Sequence, residues 1–245
     1  MACIHLVDGD KGGVGKSFVS STLIQYFLDR SIDFIPVEAD RYNPDVANRY
    51  GELTFQFAIF SDDERQTQAD QLRDLAVKQP LIISLPSQVG QPLNTWLDMA
   101  CFDAAENGVS FVRWFVTSGT FESLNLFQIA LERHGANFPH VLVKNWGVSD
   151  DWSELSALSD LNKLMKRHKV QVIDFPRLPW QETNLVQKKN WTFAQARAAA
   201  DLPSMSRTKV KRFLKEAYTA FESTGHLTDA ATPKPAPKTP PVKTR

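Results

Sequence analysis

Two lysines flank one run of glycines near the N-terminus: Gly9-Asp10-Lys11-Gly12-Gly13-Val14-Gly15-Lys16-Ser17, followed by Phe18. Glycines let several backbone N–H groups turn toward one anion, and a helix starting at their end adds partial positive charge. Lys16 then supplies a cation for β- and γ-phosphates, and Ser17 an oxygen for Mg²⁺. The segment reads as a phosphate loop of the GxxxxGK[ST] kind with the tighter KGGVGKS inside it. Gly12, Gly13, Val14, Gly15, Lys16, Ser17 and Phe18 are its nucleotide-lining candidates. Lys11 is left over, because Lys16 already serves one nucleotide.

Two other clusters carry charge. Arg207, Lys209, Lys211, Arg212 and Lys215 crowd one segment, and Lys163, Lys166, Arg167 and Lys169 another. Each reads either as a solvated helix face or as a surface that meets DNA phosphates without regard to sequence. The whole chain has a formal net charge of +0, so any nucleic-acid surface must be local.

Short apolar runs position these residues: CIHLV, FIPVEAD, PLIISL, SFVRWFVTS, HVLVKN and VQVIDFP. Between them lie stretches with helical spacing, at Ser20 to Asp29, Arg65 to Lys78, Ser123 to Arg133 and Trp152 to His168. The alternation predicts an α/β fold, a mostly parallel twisted sheet with helices on both faces. In such sheets ligands collect beyond the carboxyl ends of the strands, where the phosphate loop lies. The 245 residues, 42% of them hydrophobic, suffice for one main domain over 1–227. From 228 to 245 the chain has five prolines, four basic residues and almost no bulky apolar side chain, which predicts a disordered tail. Cys3 and Cys101 form no metal or CxxC spacing, and no apolar run is long enough to span a bilayer. These features predict a cytoplasmic protein without a membrane anchor.

KGGVGKS resembles the deviant Walker A motif of the ParA/MinD family of P-loop ATPases. The resemblance implies a three-layer P-loop fold, ATP and Mg²⁺ as ligands, slow hydrolysis of ATP to ADP and phosphate, and a homodimer that closes around two ATP molecules. Lys11 then reaches the partner's nucleotide, where a cation stabilises charge developing in phosphoryl transfer. FIPVEADRYNPD is similar to the family's strand ending in two acids, and alternation puts Glu38 and Asp40 on one side. Asp40 is the implied water-positioning group, and Glu38 with Asp40 and Ser17 the implied surroundings of Mg²⁺. In PLIISLPSQVG, Ser84 stands where the family has a metal-shell aspartate, which leaves open a nucleotide-sensing protein with negligible hydrolysis. HVLVKNWG and VIDFPRLPW resemble the adenine-holding segments and mark Asn145, Pro176 and Arg177. The C-terminal stretch ETNLVQKKNWTFAQARAA through MSRTKVKRFLKEAYTAFE resembles the TraL/MobD/StbB-type branch of plasmid transfer and maintenance. That branch implies an accessory protein that stimulates turnover, DNA or protein cargo, and nucleoid association where DNA is bound.

Overall fold

The computed structural model describes residues 2–9, 11–60, 66–104 and 108–227; the tail expected to be disordered, 228–245, lies outside the described residues. Seven strands form the sheet of the described residues: β1 (Ala2–Asp8), β2 (Ile35–Glu38), β3 (Gln56–Phe57), β4 (Leu81–Ser84), β5 (Val109–Thr117), β6 (His140–Asn145) and β7 (Gln171–Phe175). Their order is β3-β2-β4-β1-β5-β6-β7, and every pairing is parallel. Parallel pairs need long crossovers, and helices supply them: α1 (Lys16–Asp29), α2 (Asp45–Arg49), α3 (Gln66–Ala76), α4 (Gly90–Ala104), α5 (Phe121–His134), α6 (Ser153–Ala157), α7 (Ser159–Arg167) and α8 (Trp180–Lys188). Two further helices, α9 (Phe193–Ala198) and α10 (Ser204–Glu222), follow.

Alternation along the strands assigns the two faces of the sheet. On β5, Val112, Trp114 and Val116 join Val19, Leu23 and Phe27 of α1 and Phe213 and Phe221 of α10 in one core. Phe111 faces the other way, with Ile4, Leu6, Leu81, Ile83, Leu93 and Trp96. Phe115 packs beneath α5 on Leu124, Phe127 and Leu131. Six of the seven strands are the six apolar runs. The seventh, β3, has only two residues, both exposed, and is not among those runs.

One expected helix is two. The stretch from Trp152 to His168 breaks at Leu158, whose φ of −79° and ψ of 81° leave the helical region. Asn162 repairs the break, its Nδ2 donating to the freed carbonyls of Leu155 at 2.9 Å and Ser156 at 3.4 Å.

Candidate functional site

The phosphate loop leaves β1 between two neighbours, since Val7 is in register with Ser84 of β4 and Trp114 of β5. Its exit is fixed from below. Asp8 accepts from the Gly9 N–H at 2.6 Å and pairs with Arg113, whose Nε donates to the same carboxylate at 2.7 Å. Both side chains are buried, so each charge is compensated mainly by the other. Gly9 has no room for a side chain, because a Cβ would meet the Val116 carbonyl oxygen at 2.6 Å. Counting back from Gly15, the first glycine of GxxxxGK[ST] falls at position 10, an aspartate, so the loop meets only the tighter KGGVGKS.

Gly15 is the N-cap of α1 with φ 93°, in the left-handed region that costs little only for glycine. A Cβ there would collide with the Asn145 amide. Lys16 is therefore the first helical residue, and its side chain folds back over the loop. Its Nζ donates to the Lys11 carbonyl at 2.9 Å and to Ser87 Oγ at 2.9 Å. Ser17 follows, half-buried at the helix N-terminus. Phe18 points its ring into the core against Phe193 at 5.2 Å and Phe213 at 5.5 Å, so toward the loop it offers backbone alone. Gly12 lies beside Ser87, while Gly12 and Gly13 are exposed. Lys11 pairs with Glu122 in the first turn of α5, a partner that sequence reasoning missed.

The acids at the end of β2 divide their work. Glu38 is buried, and its carboxylate accepts from the N–H groups of Asp40 at 3.2 Å, Val46 at 3.2 Å and Ala47 at 3.3 Å. Burial pushes its carboxyl up to about 7, against the pull of those N–H donors. Both oxygens being engaged, Glu38 holds the start of α2 in place and reaches the site through Asp40. Asp40 uses Oδ1 to cap the next turn, accepting from Tyr42 N at 3.1 Å and Asn43 N at 2.9 Å. Ser84 is buried in register with Glu38, and its carbonyl accepts from Ala39 N at 3.0 Å. Ser17, Ser84 and Asp40 offer hard oxygens near the start of α1 and the ends of β4 and β2. Such oxygens suit Mg²⁺, which keeps several waters and shares substrate phosphates instead of needing a protein cage. Among the described residues, no group of three or more His, Cys, Asp or Glu could hold a metal by itself.

The segments marked for the base come together. Trp146 N donates to the Phe175 carbonyl at 3.0 Å, and Arg177 Nε donates to the Trp146 carbonyl at 2.9 Å, with Pro176 between. Asn145 stands against the loop: Nδ2 donates to the Val14 carbonyl at 2.8 Å, and Oδ1 accepts from Gly147 N at 3.0 Å. Arg177 also pairs with Asp150 at 2.6 Å.

The basic C-terminal segment is largely spent inside the molecule. Arg207 donates to the carbonyls of Ala199 at 3.2 Å and Leu202 at 2.5 Å, Lys209 pairs with the buried Glu182 at 3.0 Å, and Arg212 pairs with Glu216 at 2.7 Å. Lys211 and Lys215 remain exposed. With Arg30, Arg197, Leu214, Tyr218 and Glu222 they line a groove of about 330 Å³. The groove lies at the far end of α1, where Arg197 and Tyr218 both donate to Asp29. Fourteen residues of helix, roughly 20 Å at 1.5 Å per residue, separate it from the phosphate loop.

No protein-family model matches the chain. Protein MobD of Acidithiobacillus ferrooxidans is 24% identical over 224 residues, which cover 91% of this chain and 98% of MobD. Among solved structures, the septum site-determining protein MinD of Pyrococcus horikoshii OT3, complexed with Mg-ADP, is 13% identical with a TM-score of 0.52, over 92% of this chain and 96% of that one. A protein described as a plasmid partition protein, from Borrelia burgdorferi B31 and bound to AMPPNP, is 14% identical with a TM-score of 0.52, over 91% and 98% of the two chains. A chain of a MinC:MinD cell division protein complex from Aquifex aeolicus is 9% identical, with a TM-score of 0.50 over 88% and 97% of the two chains. In fold, this chain is similar to these MinD and plasmid partition proteins.

Proposed function

We propose that the protein is an Mg²⁺-dependent ATPase switch that dimerises around ATP, is reset by hydrolysis, and acts in plasmid transfer, partition or positioning of cargo. The phosphate loop carries the reading: a left-handed Gly15 caps α1, and Lys16 Nζ lies over the loop between Lys11 and Ser87. An arriving polyphosphate meets the loop N–H groups, the positive end of α1 and Lys16, which gives up its bonds to the Lys11 carbonyl and Ser87 for phosphate oxygens. Ser17, with Ser84 and Asp40, would hold Mg²⁺, which would supply charge neutralisation for phosphoryl transfer. Asn145, Pro176 and Arg177 border the base. Lys11 exchanges Glu122 for the nucleotide of a second copy. The solved relatives with Mg-ADP and AMPPNP, and the complex of MinD with MinC, support the choice of nucleotide, metal and a partner protein.

Titration of purified protein with a fluorescent ATP analogue, alongside phosphate release, tests the reading with Lys16→Ala as blank. Equal ATP affinity in wild type and Lys16→Ala would remove the phosphate loop from the function. Ser84 favours one second reading, a nucleotide-sensing protein that binds ATP and hydrolyses it negligibly. ATP-driven dimerisation without phosphate release selects it. Any DNA contact falls to Lys211 and Lys215, because Arg207, Lys209 and Arg212, like the neighbouring Arg30, have partners within the chain. Salt-sensitive binding of a DNA duplex that Lys211→Glu/Lys215→Glu abolishes supports that contact, and binding indifferent to both changes rejects it.

A further inference from the structure

Helix α10 buries Val210, Phe213, Ala217 and Phe221 in the core. Along the edge of that buried face, Lys211, Leu214, Lys215, Tyr218, Thr219 and Glu222 recur at steps of three and four, so they form one stripe. The stripe lines the groove of about 330 Å³ together with Arg30, the C-cap of α1, and Arg197 of α9. Four basic side chains share that lining with one carboxylate, in a chain whose formal net charge is +0.

Two of the cations are fixed in place. Arg30 Nη2 donates to Glu222 Oε1 at 2.6 Å, and its guanidinium lies 5.3 Å from the Tyr26 ring centroid and 5.8 Å from that of Tyr218. Arg197 Nη2 donates to Asp29 Oδ1 at 2.8 Å, and the Tyr218 hydroxyl donates to the same carboxylate at 2.9 Å. The other two are uncommitted: Lys211 and Lys215 are exposed, and neither ammonium has a partner among the described residues. Their neighbour Arg212 shows the ordinary arrangement on a helix, pairing with Glu216 four residues on. Lys211 and Lys215 are also four residues apart, a spacing at which like charges oppose each other. An anion bound between them relieves that opposition.

The other groups of the groove select the kind of anion. The Thr219 hydroxyl spends its proton on the Lys215 carbonyl at 3.0 Å, which leaves it an acceptor, and Glu222 is an acceptor too. A peptide brings backbone N–H donors to such acceptors, whereas a phosphodiester backbone has none to bring. Spacing agrees, because four helical residues rise about 6 Å and alternate residues of an extended chain lie about 6.6 Å apart. We infer that this groove docks an extended acidic segment of a partner protein. Carboxylates at alternate positions of the segment meet Lys211 and Lys215, and its backbone N–H groups meet Thr219 and Glu222.

The test uses the full chain without nucleotide, so its failure leaves the ATPase reading standing. The probe is a fluorescein-labelled peptide of about twelve residues that alternates glutamate with alanine, read by anisotropy, with a glutamine-for-glutamate peptide as control. The acidic peptide should bind and its control should not. Lys211→Glu/Lys215→Glu should weaken binding by at least about tenfold, since both charge-assisted contacts become repulsive. Thr219→Trp keeps every charge and fills the groove, and should weaken binding as much. Both sites are exposed, so both variants should melt as wild type does. Lys163→Glu/Lys166→Glu, on the other basic segment, should bind the peptide as wild type does. Absence of binding, binding that survives either groove variant within about twofold, or equal sensitivity to Lys163→Glu/Lys166→Glu overturns the docking site. A DNA duplex of matched charge that binds at Lys211 and Lys215 more tightly than the peptide gives the groove to nucleic acid and overturns it as well.

Discussion

Lys11 and Glu122 form an ion pair across two loops, joining the phosphate loop to the first turn of α5. The lysine proposed to serve a second copy's nucleotide is held by its own chain. The carboxylate is well exposed, so the pair contributes at most about 1 kcal/mol, or a factor of about five. Glu122→Gln should lower the protein concentration for ATP-dependent dimerisation by up to about fivefold, as read by light scattering. Lys11→Ala should abolish dimerisation and leave monomer ATP binding intact.

The trans role of Lys11 has its own test by mixing. Lys11→Ala lacks one group and Asp40→Ala the other, so one site of a mixed dimer keeps both. Phosphate release above either parent is expected, and no recovery in demonstrated mixed dimers confines Lys11 to its own chain.

Gly15→Ala places a side chain at φ 93° and against Asn145. The left-handed strain alone costs about 1–2 kcal/mol. The variant should melt several degrees lower, and its ATP affinity should fall at least tenfold in titration, because the loop cannot keep its shape.

Arg113→Met leaves Asp8 buried without its cation, a change that typically costs about 3–5 kcal/mol. Urea unfolding should register a loss of that order. Asp8→Asn added to Arg113→Met should recover a large part of it, since no buried charge then remains.

His5 and His140 set the acid limit of stability. Burial lowers both imidazoles to about 3 from their ordinary 6.5, with His226 adding to the effect at His5 and Arg113 at His140. Between those values the unfolded chain binds protons that the folded one refuses. Stability is therefore fully present above pH 6.5 and falls as pH drops toward 3, on the order of 1 kcal/mol per pH unit for each histidine. Melting temperature should drop between pH 7 and pH 5, and less so in His5→Gln/His140→Gln.

The strands were legible because a sheet buried on both faces writes itself as short apolar runs, and the phosphate loop because glycines and a lysine have fixed spacing. Glu122 was not legible: its partner is 111 positions away, and the pair depends on how the loop after β5 meets the loop after β1. The basic segment was legible only in part. Arg212 and Glu216 are four apart on one helix, a readable pair, but the bond from Lys209 to Glu182 joins two helices. Asn145 was marked by the resemblance of HVLVKNWG to an adenine-holding segment, yet its tie to Val14 needed coordinates.

The bond between Asp8 and Arg113 spans 105 positions, and it sits directly beneath the first functional residues of the chain. During synthesis β1 emerges first and finds neither neighbour. Its partners, β4 and β5, follow some eighty and a hundred residues later, which at about 5–20 residues per second is a wait of several seconds or more. Until then an apolar strand and an unshaped glycine loop stand open to solvent and to other chains. Nucleotide capture is thus a late event in the life of the nascent protein, and a chain truncated before β5 should be insoluble as well as unable to bind.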